Sequence, residues 1–170
     1  MTARRNYGAE ITISELHELL ICDPFVGKLF WNIGKRKGKE AGTEDKGYLK
    51  ISLYGKRYFA HHIMWAMVMG GWAKDEIDHI NRDRRDNRFV NLRDASRSQN
   101  AWNSKLFKNN TSGYKGIYDT VYGWRVLIMA HRKTFDFGTF RNLREAVIVR
   151  AAAASELHGE FARRPGQKEL

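Results

Sequence analysis

Between Ile77 and Asn103 the chain runs IDHINRDRRDNRFVNLRDASRSQNAWN. That stretch concentrates the residue types needed to hydrolyse a phosphodiester. The reaction needs a deprotonated water, charge stabilisation on the pentacovalent phosphate and a neutralised leaving oxygen. One hard cation serves the last two needs. Carboxylate and amide oxygens suit Mg²⁺ or Mn²⁺, and Asp78 and Asn100 offer one of each. His79 is the nearby side chain whose ordinary pKa suits a general base at neutral pH. A base also needs a fixed ring, and Asn91 offers a side-chain or backbone acceptor for that. The segment is a small metal-dependent nuclease site in outline.

The elements around these residues follow from pattern. Glu76 to Ile80 is short and part apolar, a strand. Asn81 to Asn87 (NRDRRDN) is rich in turn formers and reads as a loop. Phe89 to Arg93 forms a second short strand, and Ser96-x-x-Gln99 is a capping box that starts a helix. Asn100 lies on its first turns, sharing a face with Asn103. Strand, loop, strand, helix makes a ββα unit. Arg82, Arg84, Arg85 and Arg88 in its loop are phosphate contacts or a solvated surface balanced by Asp83 and Asp86, and the sequence leaves both open.

Upstream, Thr12-x-x-Glu15 is a capping box ahead of a helical stripe of Ile13, Leu16, Leu19 and Leu20, with Pro24 beyond it. Lys28 to Asn32 reads as a strand. Gly34 to Gly42 is a basic loop carrying Lys35, Arg36, Lys37 and Lys39, either solvated or on phosphates. Gly47 to Leu53 alternates as a strand, Tyr54-Gly55-Lys56 turns, and Arg57 to Ala60 returns. His61 to Met69 is apolar nearly all round, a buried helix stopped by Gly70-Gly71. His61 and His62 open it. Adjacent helical side chains diverge by about a hundred degrees, so these two do not share an ion; one is a hydrogen-bonded structural residue and the other partly exposed.

The whole chain has 170 residues, enough for one domain or two small ones, and 42% of them are hydrophobic, which suits folded domains. Thirty Lys and Arg against 19 Asp and Glu leave a net charge of +11, which points to a polyanionic partner. The single cysteine, Cys22, excludes an intramolecular disulfide and a Cys-rich zinc site, fits a reducing compartment and reads as a buried apolar residue. Residues 1–10 read as frayed, with no apolar run of a signal peptide. Ile63 to Ala73 is too short and Gly-broken to span a bilayer, so the acidic partner is nucleic acid, not lipid.

Asp78-His79-Ile80-Asn81, Asp86-Asn87-Arg88, Asn91-Leu92-Arg93 and Gln99-Asn100 closely resemble the HNH nucleases of the phage homing-endonuclease type. The likeness extends upstream through Gly47-Tyr48, Gly55-Lys56 and Ala60-His61, and covers roughly residues 20 to 104. Asn91 stands twelve residues after His79 and Asn100 twenty-one. The resemblance implies that His79 is the general base, that Asp78 and Asn100 hold one cation, Mg²⁺ or Mn²⁺, and that Asn91 braces the loop that orients His79.

After a polar stretch from Ser104 to Ser112 the pattern changes. Tyr114 to Asp119, Trp124 to Ala130 and Lys133 to Phe140 read as three strands. In the second of these Trp124, Val126, Ile128 and Ala130 alternate with Arg125, Leu127 and Met129. Asn142-x-x-Glu145 caps a long helix whose Ala146, Val147, Ala151 and Ala154 form a small-residue face. Asn110 to Tyr118 (NTSGYKGIY), Trp124-Arg125-Val126, Phe137-Gly138-Thr139-Phe140, Glu145-Ala146 and Leu157 to Ala162 (LHGEFA) resemble APETALA-type, ethylene-response-factor-like DNA-binding domains. The resemblance implies a three-stranded antiparallel sheet on one helix, with the open sheet face in the DNA major groove. Lys115 and Tyr118 then stand at two family DNA-contact positions, the second no longer cationic. Lys115, Arg125, Arg132 and Lys133 would meet phosphates, and the apolar face residues thymine methyls. Trp124, Val126, Ile128 and Phe137 form the core, and His158 caps or packs at the helix end.

The expected fold class is α+β: an N-terminal HNH domain over 1–106 with a ββα-metal core at about 76–104, a linker at 107–112, a three-stranded antiparallel sheet packed on one helix at 113–162, and a loose tail at 163–170. The expected activity is metal-dependent cleavage of double-stranded DNA in the cytoplasm of a bacterial host, by a phage-encoded or mobile-element protein with no membrane and no obligate protein partner. The alternatives are a non-catalytic, sequence-specific DNA-binding regulator and an RNA-directed nuclease.

Overall fold

The computed structural model describes residues 11–106 and 108–163. The expected frayed start and most of the expected tail lie outside them. The chain is a mixed α/β protein that divides between Ser96 and Arg97 into two compact units. That division falls ahead of the linker suggested by sequence, because the helix after Ser96 packs with the second unit.

The first unit begins with α1 (Ile13–Leu19). Its capping box is formed, with the Thr12 hydroxyl accepting from the Glu15 backbone N–H and the Glu15 carboxylate accepting from the Thr12 N–H. The apolar stripe does not continue as helix. Leu20 turns into β1 (Leu20–Asp23), which pairs antiparallel with β2 (Lys28–Trp31). Leu16, Leu19 and Leu20 are still buried, so the stripe marked the core while changing its secondary structure. A three-stranded antiparallel sheet follows, β3 (Thr43–Asp45), β4 (Tyr48–Leu53) and β5 (Lys56–Phe59), in the order β3-β4-β5. Lys46 and Gly47, both at positive φ, make the two-residue turn between β3 and β4. Helix α2 (Ala60–Met69) ends on Gly70 in the left-handed conformation. It supplies Ile63, Met64 and Ala66, all fully buried, to a core shared with Leu16, Leu29 and Ile51. Cys22 is half-buried, with its thiol on the Met64 sulfur, and burial pushes its pKa up to about 11. The unit closes with β6 (Glu76–His79) paired antiparallel with β7 (Leu92–Ala95).

The second unit begins with α3 (Arg97–Asn103). Strands β8 (Ile117–Thr120), β9 (Gly123–Ala130) and β10 (Lys133–Phe140) form an antiparallel sheet in the order β10-β9-β8. Helix α4 (Leu143–His158) is capped by the Asn142 side chain, which accepts from the Arg144 N–H. Alternation along β9 sends Val126, Ile128 and Ala130 inward against Ala146, Ala153 and Ala154 of α4, with Trp124 and Phe137 at the margin. Arg125 and Met129 stay exposed on the other face. Beyond Phe161 the chain is not loose at once. Arg163 is buried, because its carbonyl accepts from the Arg150 guanidinium and its own guanidinium donates to the Ser104 carbonyl. Among the described residues no helix is long and apolar enough to cross a membrane.

Candidate nuclease site in the first unit

Strand β6 is so short that pairing with β7 decides which residues it can present. The register sets Asp78 opposite Arg93 and His79 opposite Leu92. Both Asp78 and His79 are buried, at 5% and 6% exposure, although burial of such groups is costly without partners. For Asp78 one partner is Arg93, whose Nε and NH2 donate to Oδ2 at 2.9 and 2.7 Å. For His79 it is Asn87, whose Oδ1 lies 3.1 Å from Nε2. Burial holds the His79 pKa below its usual value, while the Asn87 contact and Asp78 act in the opposite sense. The imidazole is therefore neutral at neutral pH, the form a general base needs.

Asn91 hydrogen-bonds within the loop and not to the His79 ring. Its Oδ1 accepts from the Asn81 N–H, and its Nδ2 donates to the Asn81 side-chain oxygen and to the Asp86 carbonyl. The two ends of the loop are thereby tied together. To place Asn91 inward, Phe89 to Asn91 forms a 3₁₀ turn, not the start of a strand, and β7 begins at Leu92. A side chain that does meet the His79 ring is that of Asn87, which stands in the Asp86-Asn87-Arg88 block but carried no role there. Its position is set from the β1–β2 turn. The Phe89 N–H donates to the Pro24 carbonyl, and a Cβ on Gly27 would sit 2.4 Å from the Arg88 nitrogen. Gly27, at φ +77, is needed both for that conformation and for that backbone approach.

Behind His79 stands a ring cluster that spacing alone did not reveal. His61 is 4% exposed, its ring centroid is 4.7 Å from that of His79, and His62 is 4.6 Å from His61. Tyr48 lies 5.6 Å from His61 and 6.3 Å from His79. Of the two ring residues His62 is the partly exposed one, and the Nδ1 of His61 is buried without a hydrogen-bond partner among the described residues. Burial drives its pKa down to about 2, with help from His79 and His62, so it is a neutral packing ring.

Arg85 contacts Glu44 at 2.6 Å, Arg88 contacts Asp86 at 2.6 Å, and Arg84 lies over the Tyr48 ring at 4.5 Å. Arg82 takes a positive φ of 67° at the loop entry. Lys35, Arg36 and Lys37 are exposed, with Arg36 over Trp31. In the second unit Asn100 is half-buried on α3. Tyr118 is 52% exposed, and Arg132 and Lys133 are exposed at the β9–β10 turn. Arg125 is paired with Asp136 at 2.7 Å. The Lys115 ammonium is held by the Ala101 carbonyl and the Ser104 hydroxyl, and burial lowers its pKa to about 8. His158 stacks on Trp102 at 4.1 Å and contacts the Met129 carbonyl at 3.0 Å.

A carboxylate such as that of Asp78 is the kind of oxygen donor that a hard divalent cation takes. Arg93 occupies one of the two carboxylate oxygens. Among the described residues no group of three or more His, Cys, Asp and Glu side chains is placed to hold a metal ion.

Residues 58–102 match the family model for HNH endonucleases, a span that contains α2, His61, Asp78, His79, Asn87, Asn91 and Asn100. The chain is 39% identical to protein 3.8 of Escherichia phage T7 over 106 residues, 61% of this chain and 87% of that protein. It is 27% identical to an uncharacterised HNH endonuclease of Acanthamoeba polyphaga mimivirus over 141 residues, 82% of this chain and 68% of that one. No solved structure matches it. The chain thus belongs to the family of phage T7 protein 3.8 and carries an HNH endonuclease domain over residues 58–102.

Proposed function

We propose that the chain is a homing-type HNH endonuclease that cuts double-stranded DNA inside a bacterial host. The observation that carries this reading is the buried His79, neutral and held by Asn87, beside a buried carboxylate within the segment that matches HNH endonucleases. His79 takes the proton from the attacking water. Asn87 fixes its ring and Asn91 ties the loop that delivers Asn87. Asp78 and Asn100 would hold one divalent cation, Mg²⁺ or Mn²⁺, and that cation would supply charge stabilisation to the phosphate and leaving oxygen. β6, β7 and α3 would be the ββα core. The exposed cations of the 34–42 loop and of the β6–β7 loop would track phosphates.

The second unit, in this reading, is the APETALA-type module. The exposed side of β8 and β9, with Tyr118, Arg125 and Met129, faces the major groove, and Arg132 and Lys133 at the hairpin turn meet phosphates. Lys115 contributes by holding the end of α3, where its ammonium is already engaged.

One observation favours a non-catalytic DNA-binding regulator: the ion pair in which Arg93 occupies a carboxylate oxygen of Asp78. Plasmid incubated with the protein and Mg²⁺, Mn²⁺ or EDTA decides between the two. The nuclease reading expects nicks or breaks with either metal and none with EDTA. His79→Ala should lower the rate by roughly 10²- to 10⁴-fold, the usual worth of a general base, while DNA affinity stays. Intact plasmid under every condition, with DNA still bound, would establish the regulator instead.

A further inference from the structure

The loop arginines are not equivalent. Arg85 and Arg88 are engaged with carboxylates. Arg84 is mounted differently, at two points along its side chain. Its stem crosses the β3–β4 turn, with Cδ 3.9 Å from where a Cβ on Gly47 would be. Its guanidinium lies 4.5 Å from the centre of the Tyr48 ring. A guanidinium over an aromatic face keeps its in-plane donors free for another ligand, and a planar fork suits phosphate oxygens. Among the described residues Arg84 is in no ion pair, and it is exposed.

Tyr48 links this arginine to the candidate site. The same ring that carries Arg84 stands 6.3 Å from His79 and 5.6 Å from His61. Tyr48 in turn is fixed by the Lys46–Gly47 turn that opens β4 and by edge contact with Phe59 at 5.0 Å. An exposed arginine ordinarily spends much side-chain entropy on being held. Here the mount has already restricted it before any substrate arrives, the condition under which a positioning contact is most effective.

We propose that Arg84, mounted on Tyr48, is the substrate-positioning residue that grips the DNA phosphate presented to His79. This rests on the nuclease reading for its consequence, but the grip itself is a phosphate contact that can be measured without cleavage. Tyr48 acts through Arg84 as a positioning residue.

The test uses the full chain, a short DNA duplex and two readouts: single-turnover cleavage at saturating protein, and the salt dependence of DNA affinity. Arg84→Ala should slow saturated cleavage by roughly tenfold or more and lower the log–log salt slope by about one unit, the mark of a lost phosphate contact. Lys28→Ala, which removes a cation paired with Glu40 elsewhere in the unit, should do neither. Tyr48→Leu should reproduce the Arg84→Ala defect, and Tyr48→Phe, which keeps the ring, should restore most of the rate. If Arg84→Ala changes neither readout while the parent protein cuts, the assignment is wrong and the nuclease reading stands. If the slope falls but saturated cleavage is unchanged, the contact is to a remote phosphate and the positioning role is lost. If the parent protein does not cut at all, the nuclease reading fails, and a lowered slope in Arg84→Ala still supports the phosphate grip.

Discussion

The two units bury polar side chains to opposite ends. In the first, the buried polar groups are His61, Asp78, His79, Asn87 and Asn91, and they converge on one hairpin. In the second, Arg150, Arg163 and His158 are buried, and their polar atoms bind backbone carbonyls: Lys115 and Arg163 for Arg150, Ser104 for Arg163, Met129 for His158. The first arrangement puts a buried carboxylate and a neutral imidazole at consecutive positions of one short strand, groups that could do chemistry. The second fastens chain segments together. A net charge of +11 therefore does not mean eleven cations facing a polyanion. Some of the surplus is structural, and Lys115 is part of it.

That contrast can be broken at several points. If Arg150 is a fastener, Arg150→Met leaves two buried carbonyls without their charged donor and should cost the second unit on the order of 2–4 kcal/mol, read by denaturant unfolding. An unshifted midpoint would mean that the carbonyls find other donors. If Asn87 orients a base, Asn87→Ala should slow cleavage by roughly 10- to 100-fold, with little change in unfolding. A loss of stability without a specific loss of rate would make it a fastener like Arg150.

The third test turns on pH. His61 has a folded pKa near 2 against an ordinary value near 6.5, so only the unfolded chain takes up its proton between those limits. Stability is then full above about pH 6.5 and falls as pH drops below it. Between pH 7 and pH 5 the parent protein should lose about 1–2 kcal/mol that His61→Phe does not lose. Equal losses would show that His61 protonates in place. The smallest effect is expected on the open sheet face. Asp136→Asn removes the charge that pairs with Arg125, keeps an acceptor for the Gly138 N–H and should leave unfolding unchanged. If that face meets DNA, affinity at fixed low salt should rise a few-fold. Unchanged affinity would place the face away from the duplex.

Much of the local structure was legible. The β4–β5 hairpin around Tyr54-Gly55, helix α2 with its glycine stop, β6, and the long Asn142-capped helix follow from patterns whose forces are local: alternation, turn chemistry and capping. Leu20 was misassigned to a helix because an apolar residue at helical spacing satisfies a core from a strand as well. The 3₁₀ turn at Phe89 to Asn91 was missed because the need for it comes from the hydrogen bonds of Asn91, which pair residues brought together by folding.

The sequence by itself determined which residues could do chemistry: one Asp-His pair, asparagines at fixed spacing and an excess of cations. Residue type sets pKa, donor atoms and charge, and these do not depend on fold. Only the tertiary structure decided which of them act on one another. It put Asn87, not Asn91, on His79, and set Arg93 against Asp78 through strand register. It also packed His61 against His79 and lifted Arg84 onto Tyr48. Those pairings join residues up to dozens of positions apart. Burial, register and a glycine that lets two backbones approach create them, and no local pattern encodes such contacts.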